Sequence, residues 1–342
     1  MNLDERKQIL LGAIVVNYVQ RAEPVGSQFL ASHEHLGVRS ATIRNELAEM
    51  TELGYLRQPH TSAGRIPSDR GYRYYVDHLM GEDHLSPADV GAIRDAQKIS
   101  EGDLEQLLVQ TCRVLSSLTR YTSVASPPAS AEPLIRQVHV VQVTPQRLLG
   151  VVLLDNGQVV HRFCELPRRL SPSEVTQLSN LLDAHLREVP IGQVLQTAIP
   201  AEEAGALDDV VRLLAGVIQR GVEDEDGDLV IDGASHMLEQ PEFREANRVE
   251  PLVRFLEERQ TAYQALRQLL AKQALLVSIG QENPHEAMRE VSVVAARYGA
   301  GSRMFGWVGV LGPTRMHYPH AVSAVHYAAR ALTETLTRFG IE

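Results

Sequence analysis

The sequence predicts an α+β protein that opens with a winged helix-turn-helix and continues as a two-part α+β domain interrupted by a mostly helical insertion. Three observations lead there. Within residues 1–82, three short helical patterns precede a polar turn flanked by two strand signals. Strand-rich segments occupy 134–189 and recur in 270–342, whereas the intervening 190–269 turns to helical spacing. A chain of 342 residues is long enough for two or three domains, at about 100–200 residues each.

Within 3–22, Ile9, Leu10, Ala13 and Ile14 repeat at helical spacing and stop before Glu23-Pro24, where proline pushes the residue ahead of it out of helical geometry. Gly26-Ser27 opens a second helix, Gln28 to His33, ended by Gly37. Ser40 is placed to cap a third, 41–53, which carries Ile43, Leu47 and Met50 on one stripe and stops at Gly54. Residues 55–58 and 65–67 read as strands around the turn 59–64, the wing. Ser68 caps a helix through Met80.

Residues 83–133 read as connector. Ser86-Pro87 starts helical spacing over 86–121, an interdomain or a dimer helix, and SVASPPASAEP at 123–133 reads as a linker. Strands follow at 135–143, 147–154 and 158–163, with Asp155-Asn156-Gly157 as a hairpin turn. Ser171-Pro172-Ser173-Glu174 is a capping box that opens a helix to about Leu186. Helices then dominate, broken by the acidic EDEDGD and a short LVI; strands return at 274–279, 290–298 and 304–311, and a helix spans 319–339 up to Gly340.

The net charge of −10 argues at first against a nucleic-acid partner, because phosphate contacts need lysine and arginine. Its distribution reverses that inference. Residues 1–80 balance nine basic against nine acidic side chains, so the whole acidic excess lies beyond them, and Arg57, Arg65, Arg70 and Arg73 face only Asp69 between Tyr55 and Tyr75. No stretch approaches the roughly 18 uncharged apolar residues of a membrane span, and the polar start MNLDERKQIL lacks the features of a secretory signal. A cytoplasmic protein is expected. Cys112 and Cys164 have no C-x-x-C spacing, and no Walker, G-x-S-x-G or G-x-G-x-x-G sequence occurs, so neither a metal, a cofactor nor an enzyme activity is expected.

The third helix presents Ser40, Thr42, Arg44 and Asn45 away from its apolar stripe, an inventory suited to base edges and phosphates. The wing adds His60, Thr61, Ser62 and Arg65, and Ser27, Arg39 and Arg73 complete the candidate DNA-contact set. Spacing alone leaves RNA binding and protein-only binding open beside DNA.

Several segments resemble one known family. Glu23-Pro24-Val25-Gly26-Ser27, Ser40-Ala41-Thr42-Ile43-Arg44-Asn45-Glu46, Gly54-Tyr55, the run from Gln58 to Pro67 (QPHTSAGRIP) and Gly71 to Asp77 (GYRYYVD) closely resemble the heat-inducible transcription repressor family HrcA. Ile279-Gly280-Gln281-Glu282-Asn283 and Gly312-Pro313-Thr314-Arg315-Met316 extend the resemblance to the other end of the chain, with a weakly similar middle. It departs at Ser68, where threonine is commoner, and at Ala300-Gly301-Ser302-Arg303, which begins a glycine-rich turn differently. The resemblance implies a dimeric repressor of chaperone operons that binds an inverted-repeat operator, CIRCE, and is released on heat shock, with the chaperonin GroEL as a partner. It also implies a GAF-like domain, here 134–189 with 270–342, and an inserted dimerisation domain, here 190–269.

Glu282, Asn283 and Arg315 are candidates either for a ligand pocket or for tying loops together. The first choice would make the protein a ligand-gated regulator. Trp307, among Phe305, Gly306 and Val308, is expected in a core or interface. His33, His35, His317 and His320 lack partners at metal-ligand spacing and are expected at the surface.

Overall fold

A computed structural model of the chain describes residues 3–33, 39–98, 103–130, 133–155, 159–224, 229–244, 246–270, 273–299 and 304–338. Helix α1 (Glu5–Arg21) starts where the Asp4 side chain accepts from the Lys7 amide at 2.9 Å and ends at Ala22 in the left-handed region, φ 55°. It buries Leu10, Leu11, Ile14 and Val15. Helix α2 (Ser27–His33) packs on α3 (Ser40–Glu52), whose inward stripe is Ile43, Leu47 and Met50, joined by the carboxyl-bearing Glu46. Ser40 does not cap α3. Arg39 holds that place without a side-chain bond, and Ser40 lies in the first turn. Gly37, expected to end α2, lies outside the described residues, as do Asn156-Gly157, Ala300 to Arg303, His35 and Gly340.

Gly54, at φ +79°, turns the chain into an antiparallel hairpin of β1 (Leu56–Arg57) and β2 (Ile66–Pro67), paired Leu56↔Pro67 and Arg57↔Ile66. Val25 adds a third extended residue. It exchanges two backbone bonds with Arg65, at 2.9 and 2.8 Å. That approach is so close that any Cβ on Gly64 would collide with the Val25 carbonyl. Ser68 caps α4 (Asp69–Tyr74) by accepting from the Gly71 amide at 3.1 Å, and the helix expected to run through Met80 widens into a π turn over Tyr75–Leu79.

The single helix expected over 86–121 is two, α5 (Pro87–Lys98) and α6 (Leu104–Thr119), which pack on each other. Asp103 caps α6 by accepting from the Gln106 amide at 3.1 Å. The expected linker begins as a strand. Thr122–Ala125 forms β3, buried along its whole length, and only the prolines at 127 and 128 end the pairing. Small residues there read as linker composition because their value lies in fitting a tight sheet interior, which composition does not reveal.

Residues 127–228, 299–306 and 336–342 form a compact unit. After β4 (Ala129–Ser130), it contains β5 (Ile135–Thr144), β6 (Arg147–Leu154) and β7 (Val159–Glu165) in one antiparallel sheet of that order. Helices α7 (Pro172–Leu186), α8 (Ala201–Ala204) and α9 (Asp208–Asp224) follow. Strand alternation puts Val138, Leu148, Val152 and Val160 into a core with Leu178, Leu182, Leu186, Leu214 and Ile218. The same alternation leaves Val141, Leu153, Val159 and Phe163 exposed on the other face. Ser171 and Glu174 form the expected capping box at the start of α7.

The other unit takes the chain on either side of that one. Its later elements are β8 (Val230–Asp232), which is the expected LVI, α10 (Ala234–Glu239), α11 (Ala246–Glu257), α12 (Arg259–Leu270), β9 (Leu275–Ile279), β10 (Val291–Tyr298), β11 (Met304–Pro313) and α13 (Tyr318–Arg338). The sheet runs β8-β3-β11-β10-β9, and β4 pairs the first residues of β11. One face carries Phe255, Tyr263 and Leu266 from α11 and α12 against Val293, Ala295, Trp307 and Leu311.

The overall class is mixed α+β. Its internal division differs from the one expected. The sequence joins 134–189 to 270–342, yet the structure keeps their strands in separate sheets, and Leu229, Met237, Phe243, Phe255 and Leu266 pack with the second of these. Helix and strand signals identify elements but not which strands pair, and composition alone does not mark a domain boundary. Among the described residues no helix is long and apolar enough to cross a membrane.

Candidate nucleic-acid interface

The buried stripe of α3 fixes its rotation, and the remaining face is exposed: Thr42, Arg44 and Asn45, preceded by Arg39. Three contacts fix its position. The Ser27 and Ser40 hydroxyls meet at 3.1 Å, joining the first turns of α2 and α3. Arg6 of α1 pairs with Glu46, and Lys7 reaches Glu49 at 3.2 Å. Ser27 and Ser40 are half-buried, so they orient the helix more than they present themselves to solvent.

The hairpin tip exposes His60, Thr61 and Ser62. The Gln58 side-chain amide shapes that tip by donating to Thr61 O at 2.9 Å and Ala63 O at 3.1 Å. Arg65 is half-buried and its Nε donates to Thr51 Oγ1 at 3.0 Å, tying the hairpin to the end of α3. Arg57, exposed on β1, joins Arg39 and Arg44 on the exposed surface of this module. It lies outside the candidate DNA-contact set, and its signal in the sequence is the local excess of arginine between Tyr55 and Tyr75.

Arg73 does not join that surface. Its guanidinium donates from Nε to Glu282 Oε1 at 2.8 Å, from Nη2 to Glu282 Oε2 and to Val277 O, both at 2.5 Å, and from Nη1 to Asp77 at 3.2 Å. The Glu282 carboxylate, more than any other group, holds its pKa above the ordinary arginine value. One candidate for DNA and one candidate for ligand thus meet each other, a relationship invisible in sequence because 209 positions separate them.

Asn283 is buried and saturated: its Oδ1 accepts from Ser278 at 2.7 Å, and its Nδ2 faces Gly280 O, Met288 O and Val291 O at 3.1, 2.8 and 2.9 Å. Arg315 reaches Glu242, Gln240 and the Val19 carbonyl. All three residues tie segments together. A cavity of about 350 Å³ is lined instead by Leu275, Arg297, His326, Arg330, Thr333 and Glu334, among others. Trp307 is buried in the core, 4% exposed. Cys112 and Cys164 are unpaired and buried, and among the described residues no group of three or more potential ligands is placed to hold a metal.

Comparison with known proteins settles the family. The C-terminal domain of HrcA matches residues 105–322. The heat-inducible transcription repressor HrcA of Pelotomaculum thermopropionicum is 38% identical, over 99% of this chain and 98% of its own length. The chain belongs to the HrcA family. The protein of that name from Moorella thermoacetica is also 38% identical, covering 98% of both chains, and that from Brevibacillus brevis 34% over 98% of both. HrcA relatives therefore run the length of the chain, including 1–104, where the domain match does not reach. A crystal structure of a hypothetical protein shares the fold, with a TM-score of 0.62 at 23% identity over 98% of this chain and 99% of the other. Transcription repression linked to heat shock is the activity that the names of these HrcA relatives carry.

Proposed function

We propose that this HrcA-family chain is a sequence-specific DNA-binding repressor of heat-shock chaperone operons, acting as a dimer on an inverted-repeat operator and released on warming. The carrying observation is the exposed Thr42, Arg44 and Asn45 on a helix whose opposite stripe is buried, beside a hairpin tip that exposes His60, Thr61 and Ser62. Read as a winged helix-turn-helix, α3 enters the major groove and the hairpin lies against the backbone or minor groove. Arg44 donates to guanine, Asn45 pairs with adenine, and Arg39 and Arg57 neutralise phosphates.

A palindromic site asks for two reading helices, hence two copies. The exposed Val141, Leu153, Val159 and Phe163 on the outer face of the β5-β6-β7 sheet support self-association there, because a run of apolar side chains on one sheet face is costly to leave in water. The GAF-like reading attaches to the β8-β3-β11-β10-β9 sheet with its flanking helices, and GroEL as partner rests on the family resemblance. A gel shift on an inverted-repeat operator tests the function. Binding that survives excess random DNA, with a stoichiometry of two chains per operator and a midpoint protein concentration that rises as the protein is warmed, is the expected result; equal affinity for operator and random DNA would overturn it.

A further inference from the structure

The edge of a sheet is usually its most reactive surface, since unpaired N–H and C=O groups there accept any extended chain. Strand β9 ends the six-stranded sheet and, among the described residues, pairs only with β10. Which of its groups point outward follows from one bond. The Arg297 amide donates to the Ala274 carbonyl at 2.9 Å, so Ala274, and with it Leu276 and Ser278, turns toward β10, and Leu275, Val277 and Ile279 turn their backbone groups to the outer edge.

Two of those outward groups are covered by side chains. Arg73 Nη2 donates to the Val277 carbonyl at 2.5 Å, and Glu282 Oε2 accepts from the Ile279 amide at 2.9 Å. Donor and acceptor are themselves paired, so together they present one donor and one acceptor to the edge, as a residue of a neighbouring strand would. A further tie keeps α4 beside this turn: Asp69 accepts from the Gln281 amide at 3.0 Å, and any Cβ at Gly280 would collide with that carboxylate. The segment under the cover, Leu-Leu-Val-Ser-Ile, carries no charge and no proline, the usual guards of an exposed edge.

We propose that the outer edge of β9 is an interaction surface, closed in this conformation by the Arg73–Glu282 pair, and that its partner is the same strand of a second copy. The choice of partner follows from the segment itself. It is apolar, uncharged and β-prone, and identical segments add antiparallel to one another with their outward groups in mutual register. Displacement of α4 uncovers the edge, so movement of the N-terminal module and self-association through β9 are coupled. This holds whether or not the module binds DNA.

The test uses the full chain and two readouts: hydrogen exchange at the Ile279 amide, and association on warming followed by light scattering and sedimentation. Arg73→Ala should raise Ile279 exchange at least tenfold and lower the temperature at which association begins. Adding Leu275→Pro, which removes an outward N–H at the edge, should return association to the wild-type level and leave exchange fast. Glu282→Gln keeps an acceptor for Ile279 but removes the charge, and should shift both readouts in the same direction with an unchanged far-ultraviolet spectrum, so a failure of Arg73→Ala to fold does not remove the test. Exchange unchanged in the variants, or association that proceeds equally with proline at 275, overturns the proposal.

Discussion

Arg315 grips the Glu242 carboxylate at 2.5 Å while its other nitrogens reach Gln240 Oε1 at 2.9 Å and the Val19 carbonyl at 3.0 Å. One side chain thereby joins the end of α1 to the segment after α10. Glu242 keeps a second oxygen that is buried without a hydrogen-bond partner among the described residues, so the pair is only just satisfied. Arg315→Ala would leave a largely desolvated carboxylate alone, at a cost of about 2–4 kcal/mol, toward the low end for a broken buried pair because Glu242 retains 23% exposure. Urea unfolding measures this, and Arg315→Met with Glu242→Leu should recover most of the loss.

Arg44 and Asn45 are exposed and make no contribution to the α3 packing stripe. Arg44→Ala and Asn45→Ala should each weaken operator binding by about 1–3 kcal/mol, leave unfolding within about 0.5 kcal/mol of wild type, and change random-DNA binding far less. Wild-type affinity for both DNAs in both variants would remove α3 as the reading helix.

Asn283 ties four groups across the connection from β9 to β10. Asn283→Ala strands the Met288 and Val291 carbonyls and the Ser278 hydroxyl, while the Gly280 carbonyl keeps the backbone amide of residue 283, and should cost about 2–4 kcal/mol. A cost below 0.5 kcal/mol, read from denaturant midpoints at constant slope, would contradict the bonding described. Because these bonds are all internal, thermal-shift screening of small anions and organic acids should show no stabilisation that depends on Asn283.

Glu174 titrates far below its ordinary value of 4.5, at about 2, held down first by the Ser171 backbone amide and then by Arg168 and the Ser171 hydroxyl. A lowered folded-state pKa gives stability that is complete above the unfolded value and lost as pH falls through the folded one. Glu174→Gln should therefore be less stable than wild type at pH 7, with the gap closing between about pH 4.5 and pH 2. Unfolding followed across that range checks the sign: a gap that is constant, or that widens on acidification, contradicts it.

The local elements were legible because each is announced by its own residues: a periodic stripe for α3, Gly54 for the turn, Ser171 with Glu174 for the start of α7. The reading failed where meaning lies in a distant partner. Ser123-Val124-Ala125 looks like linker until Val308 to Val310 lie against it, and Arg73 looks like a phosphate contact until Glu282 occupies it. Ser40 was misassigned for a different reason. Its hydroxyl has a competing partner in Ser27, and a capping propensity says nothing of such competition. Of the candidate interface, the exposed half was readable from the face opposite the stripe. The half that positions it, Arg6, Lys7 and Thr51, gave no sequence signal beyond charge or polarity.

The burial of β3 between β8 and β11 also has a meaning in time. Ala125 waits for its partner Val308, 183 positions later in synthesis, and its other partner, Val230, comes only after the intervening unit has been made. At about 5–20 residues per second of translation, each new chain carries β3 without its β11 partner for roughly 10–40 s. Slower translation lengthens that exposure without altering the final structure.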